Sequence, residues 1–105
     1  MIIYEVNITI DKNIFGDFYP WLISHVKEML QFDGFEKATI GLIDAKHDQQ
    51  MRLLRVDYWI KSLAELEEYL EKDAPNMRAE GVERFGKFMT ITRRVLPEHI
   101  TIHTS

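Results

Sequence analysis

The order of hydrophobic periodicities along this chain limits its fold more than any other feature. Residues 2–10 alternate, so that one face of the segment is apolar and the other is mixed. The apolar face consists of Ile2, Tyr4, Val6, Ile8 and Ile10. Alternation with a period of two is typical of a β-strand with one buried face. We therefore expect the chain to begin with a strand.

The rest of the chain alternates between helical and extended patterns. After the first strand, apolar residues recur at helical spacing, and later segments return to the period of a strand. The expected elements are a helix, two strands, two adjacent helical segments and a last strand, over residues 18–33, 35–43, 53–60, 63–72, 76–85 and 88–96.

Proline, glycine and capping residues predict where the helices begin and end. Pro20 lacks an N–H and is tolerated in the first turn of a helix, so we expect Asp17 as the N-cap of the first helix. Gly34 is expected as its C-terminal stop. Ser62, followed three residues later by Glu65, has the form of a capping box and predicts a helix that begins at residue 63.

This order of elements predicts an α+β fold of the ferredoxin-like type. Two strand–helix–strand halves with right-handed crossovers form a four-stranded antiparallel sheet with both helices on one face. The expected strand order in the sheet is fourth, first, third, second. We expect a single domain over residues 1–105, in which residues 98–105 form a short polar tail.

The sheet face turned away from the helices is expected to mix charged and apolar side chains. Strands one, three and four should display Ile3, Glu5, Asn7, Leu53, Arg55, Asp57, Trp59, Thr90, Thr92 and Arg94 there. A face exposed to water does not ordinarily carry Ile3, Leu53 and Trp59 together. A second copy packed on this face would cover them, so we expect a homodimer.

Composition and charge set limits on partners and location. Hydrophobic residues make up 46% of the 105 residues, which can supply a core, and the net charge is −4. Affinity for nucleic acid comes from clustered Lys and Arg, so no nucleic-acid partner is expected. The sequence shows no cysteine, no stretch long enough to span a membrane and no signal peptide. We therefore expect a cytoplasmic protein without a membrane partner.

Short segments spread over nearly the whole chain share the spacing of a known family. They are Met1-Ile2-Ile3-Tyr4-Glu5-Val6, Trp21 with His25, Ala74-Pro75, Arg78-Ala79, Arg84-Phe85-Gly86 and Arg93-Arg94-Val95-Leu96. These segments resemble bacterial domain-of-unknown-function family 4286, a family of short proteins. That family is similar to the dimeric α+β barrel superfamily, which includes small monooxygenases without cofactors, lactone isomerases and heme-degrading proteins. The resemblance implies a ferredoxin-like dimer and brings no activity with it, because a fold does not carry a function.

Candidate ligand-binding residues are expected where the first helix faces the sheet. His25 lies on the apolar stripe of that helix, where Tyr4 or Tyr58 could approach it. A histidine in such a place can act as a general base or orient a polar group of a ligand. The alternative is a half-buried structural histidine satisfied by one tyrosine or carbonyl. The ligand-binding candidates are His25, Tyr4, Tyr58, Trp21 and Arg94, and no catalytic residue is assigned.

Other polar patterns predict neither a metal nor a cofactor site. His99 and His103 are four residues apart in a segment that favours extended structure, and no third ligand lies nearby. Residues 81–87 fit most of a phosphate-loop pattern, but Phe88 stands where Ser or Thr would bind magnesium. That segment also joins a helix to a strand, the reverse of a phosphate loop. His47 is expected in an exposed hairpin loop.

Three functions are consistent with the sequence. The first is binding of a small, partly apolar molecule between helices and sheet. The second is a cofactor-independent enzyme of the monooxygenase or isomerase type, with His25 and tyrosines as its polar groups. The third is a structural dimer without a ligand. A deep pocket that reaches His25 would favour the first two, and a filled core would favour the third.

Overall fold

The computed structural model describes residues 1–45 and 48–105 of the chain. Its strands and helices are β1 (Ile2–Asp11), α1 (Phe15–Met29), β2 (Phe35–Ile43), β3 (Met51–Ile60), α2 (Leu63–Lys72), α3 (Ala74–Phe85) and β4 (Met89–Leu96). A 3₁₀ turn, Gly86–Phe88, links α3 to β4. His47, which we expected in an exposed loop, lies outside the described residues. None of the helices described is both long enough and apolar enough to cross a membrane.

The strands form one antiparallel sheet in the order β2-β3-β1-β4. The central strand β1 pairs with β3, so that Tyr4 lies opposite Tyr58, and on its other side it pairs with β4, so that Glu5 lies opposite Arg94. The helices lie on one face of this sheet. This arrangement confirms the predicted ferredoxin-like α+β fold and the predicted strand order.

The predicted start of the first helix was wrong. α1 begins at Phe15 with Ile14 as its N-cap, so Asp17 lies in the first turn and Pro20 lies inside the helix. A proline at that position removes the hydrogen bond to the carbonyl of Gly16. The earlier start also brings Ile14 and Phe15 against the core, and burial of their side chains offsets the missing bond.

The predicted end of that helix was wrong as well, because Gly34 serves a different turn. α1 ends at Met29, and Gly34 makes the turn into β2 with a φ of 85°, a conformation that favours glycine. A Cβ on Gly34 would lie 2.5 Å from the carboxyl carbon of Glu65. Glu65 belongs to the predicted capping box: its backbone N–H donates to Ser62 Oγ at 3.2 Å. The Ser62 hydroxyl donates in turn to the Glu65 carboxylate at 2.9 Å.

The remaining boundaries follow the prediction closely. β2 and α2 have the predicted bounds. β3 begins at Met51, before the predicted Leu53, because Met51 still pairs with Asp11 at the end of β1. α3 begins at Ala74, because Pro75 is accepted in the first turn of a helix.

The core lies between the helices and the sheet face formed by the even-numbered residues of β1 and β3. Its buried members include Ile8, Ile10, Leu54, Val56 and Ile60 from the sheet, and Phe18, Leu22, Leu66 and Phe85 from the helices. Removal of these apolar side chains from water is the main term that stabilises the fold.

Glu5 lies on the opposite sheet face, which we call the open face, and its side chain is only 1% exposed. Its carboxylate accepts hydrogen bonds from Arg94 and from Asn7, the latter at 2.8 Å, and pairs with Arg55 at 3.1 Å. Arg55 also pairs with Asp57 at 3.0 Å. The hydrogen bond from Arg94 lowers the pKa of Glu5 and outweighs the burial that would raise it. Glu5 is therefore ionised at neutral pH.

Replacement of Glu5 by Gln keeps the shape of the side chain and removes its charge. We expect Glu5→Gln to lower the free energy of unfolding at pH 7 by about 1–2 kcal/mol, because a bond to a charged group contributes about 1.5–3 kcal/mol and the two arginines stay partly hydrated. Since folding lowers the pKa of Glu5, its contribution is complete above its ordinary value of 4.5 and is lost as the pH falls through the folded-state pKa.

Urea denaturation between pH 3 and pH 8 checks this expectation. The difference between wild type and Glu5→Gln should shrink at acid pH. Glu67→Gln, at an exposed position of α2, is the matched control. A difference that stays constant down to pH 3 would contradict an ion-paired Glu5.

Candidate functional site

A pocket lies between α1, α3 and the helix-facing side of the sheet, and we call it the helix–sheet pocket. Its volume is about 60 Å³, and it is partly open to solvent. Its wall consists of Tyr4, Val6, Ile8, Val56, Tyr58, Met89, Ile91 and Arg93 from the sheet, Phe18, Trp21, Leu22, His25 and Met29 from α1, Tyr69 from α2, and Met77, Arg78, Gly81 and Val82 from α3. A water molecule needs about 10–15 Å³ of such space, so the pocket has room for a few waters or a small apolar group.

The pocket brings together most of the residues that the sequence suggested. His25, Tyr4, Tyr58 and Trp21 all lie on its wall. Arg94 does not, because it points to the open face and binds Glu5. Arg94 is thus separated from the other four candidates by the thickness of the sheet.

His25 is half-buried at the edge of the pocket, and its ring stacks on Trp21 with 4.8 Å between the centroids. Burial lowers the pKa of His25, and the charges of Glu28 and Glu80 oppose that shift only in part. The ring is therefore neutral at pH 7. Within residues 1–45 and 48–105, neither ring nitrogen has a hydrogen-bond partner, and neither is sealed from solvent. Both nitrogens are thus available to a ligand or to water.

A second, polar cleft borders the other side of His25. Its volume is about 140 Å³, and its lining includes Ser24, Glu28, Asn76 and Glu80. His25 lies at the boundary between this cleft and the apolar pocket. A neutral imidazole in that place can accept a proton on one side and exchange it with water on the other.

Trp21 fixes the distance between α1 and α3. Its indole N–H donates to the carboxylate of Glu80, and its ring packs against Phe85 with 5.4 Å between the centroids. Gly81 faces the same ring, and a Cβ at that position would lie 2.8 Å from Trp21 Cη2. The absence of a side chain at Gly81 therefore allows the two helices to approach.

Three tyrosines supply the hydroxyl groups of the pocket. The rings of Tyr4 and Tyr58 lie across the β1–β3 pair, with 6.0 Å between their centroids. The hydroxyl of Tyr69 donates to Met29 Sδ at 3.1 Å. Burial raises the pKa of Tyr69 to about 12 and also raises the pKa of Tyr58. Both hydroxyls keep their protons at neutral pH and can serve as hydrogen-bond donors.

Two arginines on the wall of the pocket were not among the candidates from the sequence. Arg78 of α3 donates a hydrogen bond to the hydroxyl oxygen of Tyr4 at 2.9 Å. Arg93 reaches the pocket from β4, where it shares a face with Met89 and Ile91. The sequence already indicates this face, because Arg93 is separated from Ile91 and Met89 by steps of two residues. An arginine among the helix-facing residues of a strand is unusual and could have been noted as a candidate.

Solved structures with the same fold cover nearly the whole chain. A Deinococcus radiodurans protein, provisionally named as an antibiotic biosynthesis monooxygenase, has a TM-score of 0.69 at 14% identity and covers 99% of this chain and 100% of its own. A mutant of SnoaB, a cofactor-independent oxygenase from Streptomyces nogalater, has a TM-score of 0.66 at 11% identity and 96% coverage of both chains. The de novo designed protein Foldit4 has a TM-score of 0.59 at 11% identity, with 93% of this chain and 98% of its own covered. At these identities the similarity shows the fold alone.

A family-level match covers most of the sequence. No curated protein matches the chain in sequence. The family described as "Domain of unknown function (DUF4286)" matches residues 1–99. The chain therefore belongs to this family, as its short segments indicated.

Proposed function

We propose that the protein binds a small, partly apolar molecule in the helix–sheet pocket. The observation that carries the proposal is the composition of the pocket wall, where aromatic and aliphatic side chains surround a few polar groups, and those of His25 and Tyr58 have no hydrogen-bond partner among the described residues. Binding sites for small molecules have this character. The free nitrogens of His25 and the protonated hydroxyl of Tyr58 would fix the orientation of a bound molecule.

We expect the pocket to enlarge beyond its present volume of about 60 Å³ when a ligand binds. A cavity of about 150 Å³ accepts a benzene ring, so a larger body needs the wall to move. Met77 and Met89 lie on the wall and are only partly buried. Methionine side chains change shape at low cost, which makes these two residues the expected point of adjustment.

A second candidate function is catalysis of the monooxygenase or isomerase type without a cofactor. The neutral imidazole of His25 between an apolar pocket and a polar cleft favours it, because a general base needs access both to substrate and to water. The fold shared with the cofactor-independent oxygenase SnoaB supports the same candidate by analogy. In this candidate His25 removes a proton from the bound molecule and Tyr58 donates a hydrogen bond to it.

Replacement of His25 tests whether it belongs to the site. We expect His25→Gln to change the free energy of unfolding by less than about 1 kcal/mol, since no protein hydrogen bond to the ring is lost. Its affinity for small aromatic compounds found by thermal-shift screening should fall by about 3–10-fold, the value of one hydrogen bond.

The pH dependence of binding gives a second readout of His25. Burial lowers the pKa of His25 from its ordinary value of 6.5, so the neutral ring is present above that pH. Affinity for a ligand that donates to this ring should fall only as the pH drops below 6.5. His99→Gln, in the exposed tail, is the control. Equal dissociation constants for wild type and His25→Gln would remove His25 from the site, and a screen without binders would favour a structural dimer without a ligand.

We propose further that the protein forms a homodimer through the open face, in which two sheets pack against each other. The chain is a thin body, 19 Å in its shortest dimension, with helices on one side of the sheet only. Trp59 lies on the uncovered side and stays half-buried, with Lys37 Nζ 4.7 Å from its ring centroid. The charged cluster on this face pairs Glu5 and Asp57 with Arg55 and Arg94, so two copies can meet there without net repulsion.

The cytoplasmic location expected from the sequence stays a prediction.

Light scattering on a sizing column tests the dimer. At tens of micromolar the wild type should elute with the mass of two chains. Thr92→Arg places a new charge on the open face of β4 and should shift the mass towards one chain. Ala64→Arg, at an exposed position of α2 on the other side of the sheet, should leave the dimer intact. A wild-type mass of one chain would contradict the proposal.

A further inference from the structure

Two arginines approach the helix–sheet pocket from different elements and have no acidic partner. Arg78 of α3 and Arg93 of β4 both lie on its wall, and Arg93 is exposed, which places it at the mouth. In the part of the chain that the structure describes, no carboxylate lies within ion-pair distance of either guanidinium. Arg78 uses one N–H for the hydroxyl oxygen of Tyr4, and a guanidinium has five such donors.

Three of the four arginines elsewhere in the chain contrast with this pair. Arg55 and Arg94 are held by Glu5, and Arg84 pairs with Glu80 at 3.6 Å. The sequence holds 17 acidic residues against 13 basic ones, so carboxylates are not scarce. Arg52 also lacks an acidic partner among the described residues, but it is exposed and lies away from the helix–sheet pocket, whereas Arg78 and Arg93 share the wall of that pocket.

The electrostatic environment of Arg78 and Arg93 is that of a site which lacks an anion. Partial burial of its guanidinium lowers the pKa of Arg93, and the neighbouring charge of Arg78 lowers it further. The hydroxyls of Tyr4, Tyr58 and Tyr69 face the same charge. Phenols that keep their protons do not neutralise a cation. An anion placed between the two guanidiniums would relieve their repulsion and receive charge-assisted hydrogen bonds from both.

We infer that the ligand of the pocket is an apolar acid, in which one carboxylate is attached to a short aromatic or aliphatic body. The carboxylate binds Arg78 and Arg93 at the mouth, and the body enters the apolar space beside Tyr58 and Met77. This inference rests on the proposed function and adds to it the charge and the orientation of the ligand.

The arrangement also explains the role of the Arg78–Tyr4 bond. Arg78 donates to the Tyr4 oxygen, so the hydroxyl hydrogen of Tyr4 stays available for a further bond. A carboxylate at Arg78 could accept that hydrogen as a third donor. A guanidinium suits such a planar group, because its N–H groups match the two carboxylate oxygens.

Matched acid and amide pairs test the inference. The probes are 3-phenylpropanoate with 3-phenylpropanamide and hexanoate with hexanamide, titrated by NMR against the full chain with backbone amides as reporters. The variant is Arg93→Met, because Arg93 is exposed on an edge strand and has no hydrogen bond to lose within residues 1–45 and 48–105. Arg93→Lys keeps the charge. Arg52→Met is the matched control, since Arg52 is an exposed strand arginine outside the pocket whose side chain donates to the carbonyl of Met51.

We expect each acid to bind wild type at least about tenfold more tightly than its amide, as charge-assisted bonds predict. Arg93→Met should reduce that ratio to about threefold or less, and Arg93→Lys should give an intermediate ratio, because an ammonium keeps the charge and loses the planar fork that matches a carboxylate. Arg52→Met should leave it unchanged. Addition of salt should weaken binding of the acids and not of the amides.

Two different failures can be told apart. If acid and amide bind the pocket of the wild type equally, the inferred charge of the ligand is overturned and the proposed binding of an apolar molecule stands. If none of the four probes shifts the amides around Tyr58, Met77 and His25, the proposed pocket function is itself contradicted, and the inference with it.

Discussion

The pairing of β1 on both of its edges is the constraint on which the rest of the structure depends. A strand in the middle of a sheet sends consecutive side chains to opposite faces. Tyr4 therefore enters the pocket, where it meets Arg78, while its neighbour Glu5 enters the charged cluster of the open face. A shift of one residue would exchange these two environments, so burial on both faces holds the register in place. Pocket and cluster are two results of a single alignment of strands.

The sheet was predictable from the sequence because it depends on parity and local chemistry. The alternation of residues 2–10 identified the buried face of β1, and the same rule identified that of β3. The strand order followed from two strand–helix–strand halves joined by right-handed crossovers. The start of α1 was not predictable in this way. Pro20 favoured a late start, and only the contacts of Ile14 and Phe15 with a core formed by distant segments favour an earlier one. Proline and capping preferences depend on neighbouring residues alone, so they do not include the free energy that packing against distant segments contributes.

The site was predictable in its apolar part and not in its charged part. His25 and Trp21 followed from the helical stripe, and Tyr4 and Tyr58 from the strand face, because apolar periodicity reports which way a side chain points. Arginine is ordinarily assigned to solvent, so Arg78 and Arg93 were passed over although the parity of β4 places Arg93 under the helices. The close approach of Gly81 to Trp21 depends on how two helices cross, which no spacing in the sequence encodes.

Arg93 and Arg94 are adjacent in the chain, yet they belong to opposite sides of the molecule. This arrangement limits the insertions and deletions that β4 can tolerate. Deletion or insertion of a single residue in β4 before Arg93 would carry each arginine to the wrong side, and both the anchor of Glu5 and the cation at the pocket would be lost in one step. The same change in the tail beyond Leu96 would leave both in place. The length of β4 is therefore more restricted than its composition.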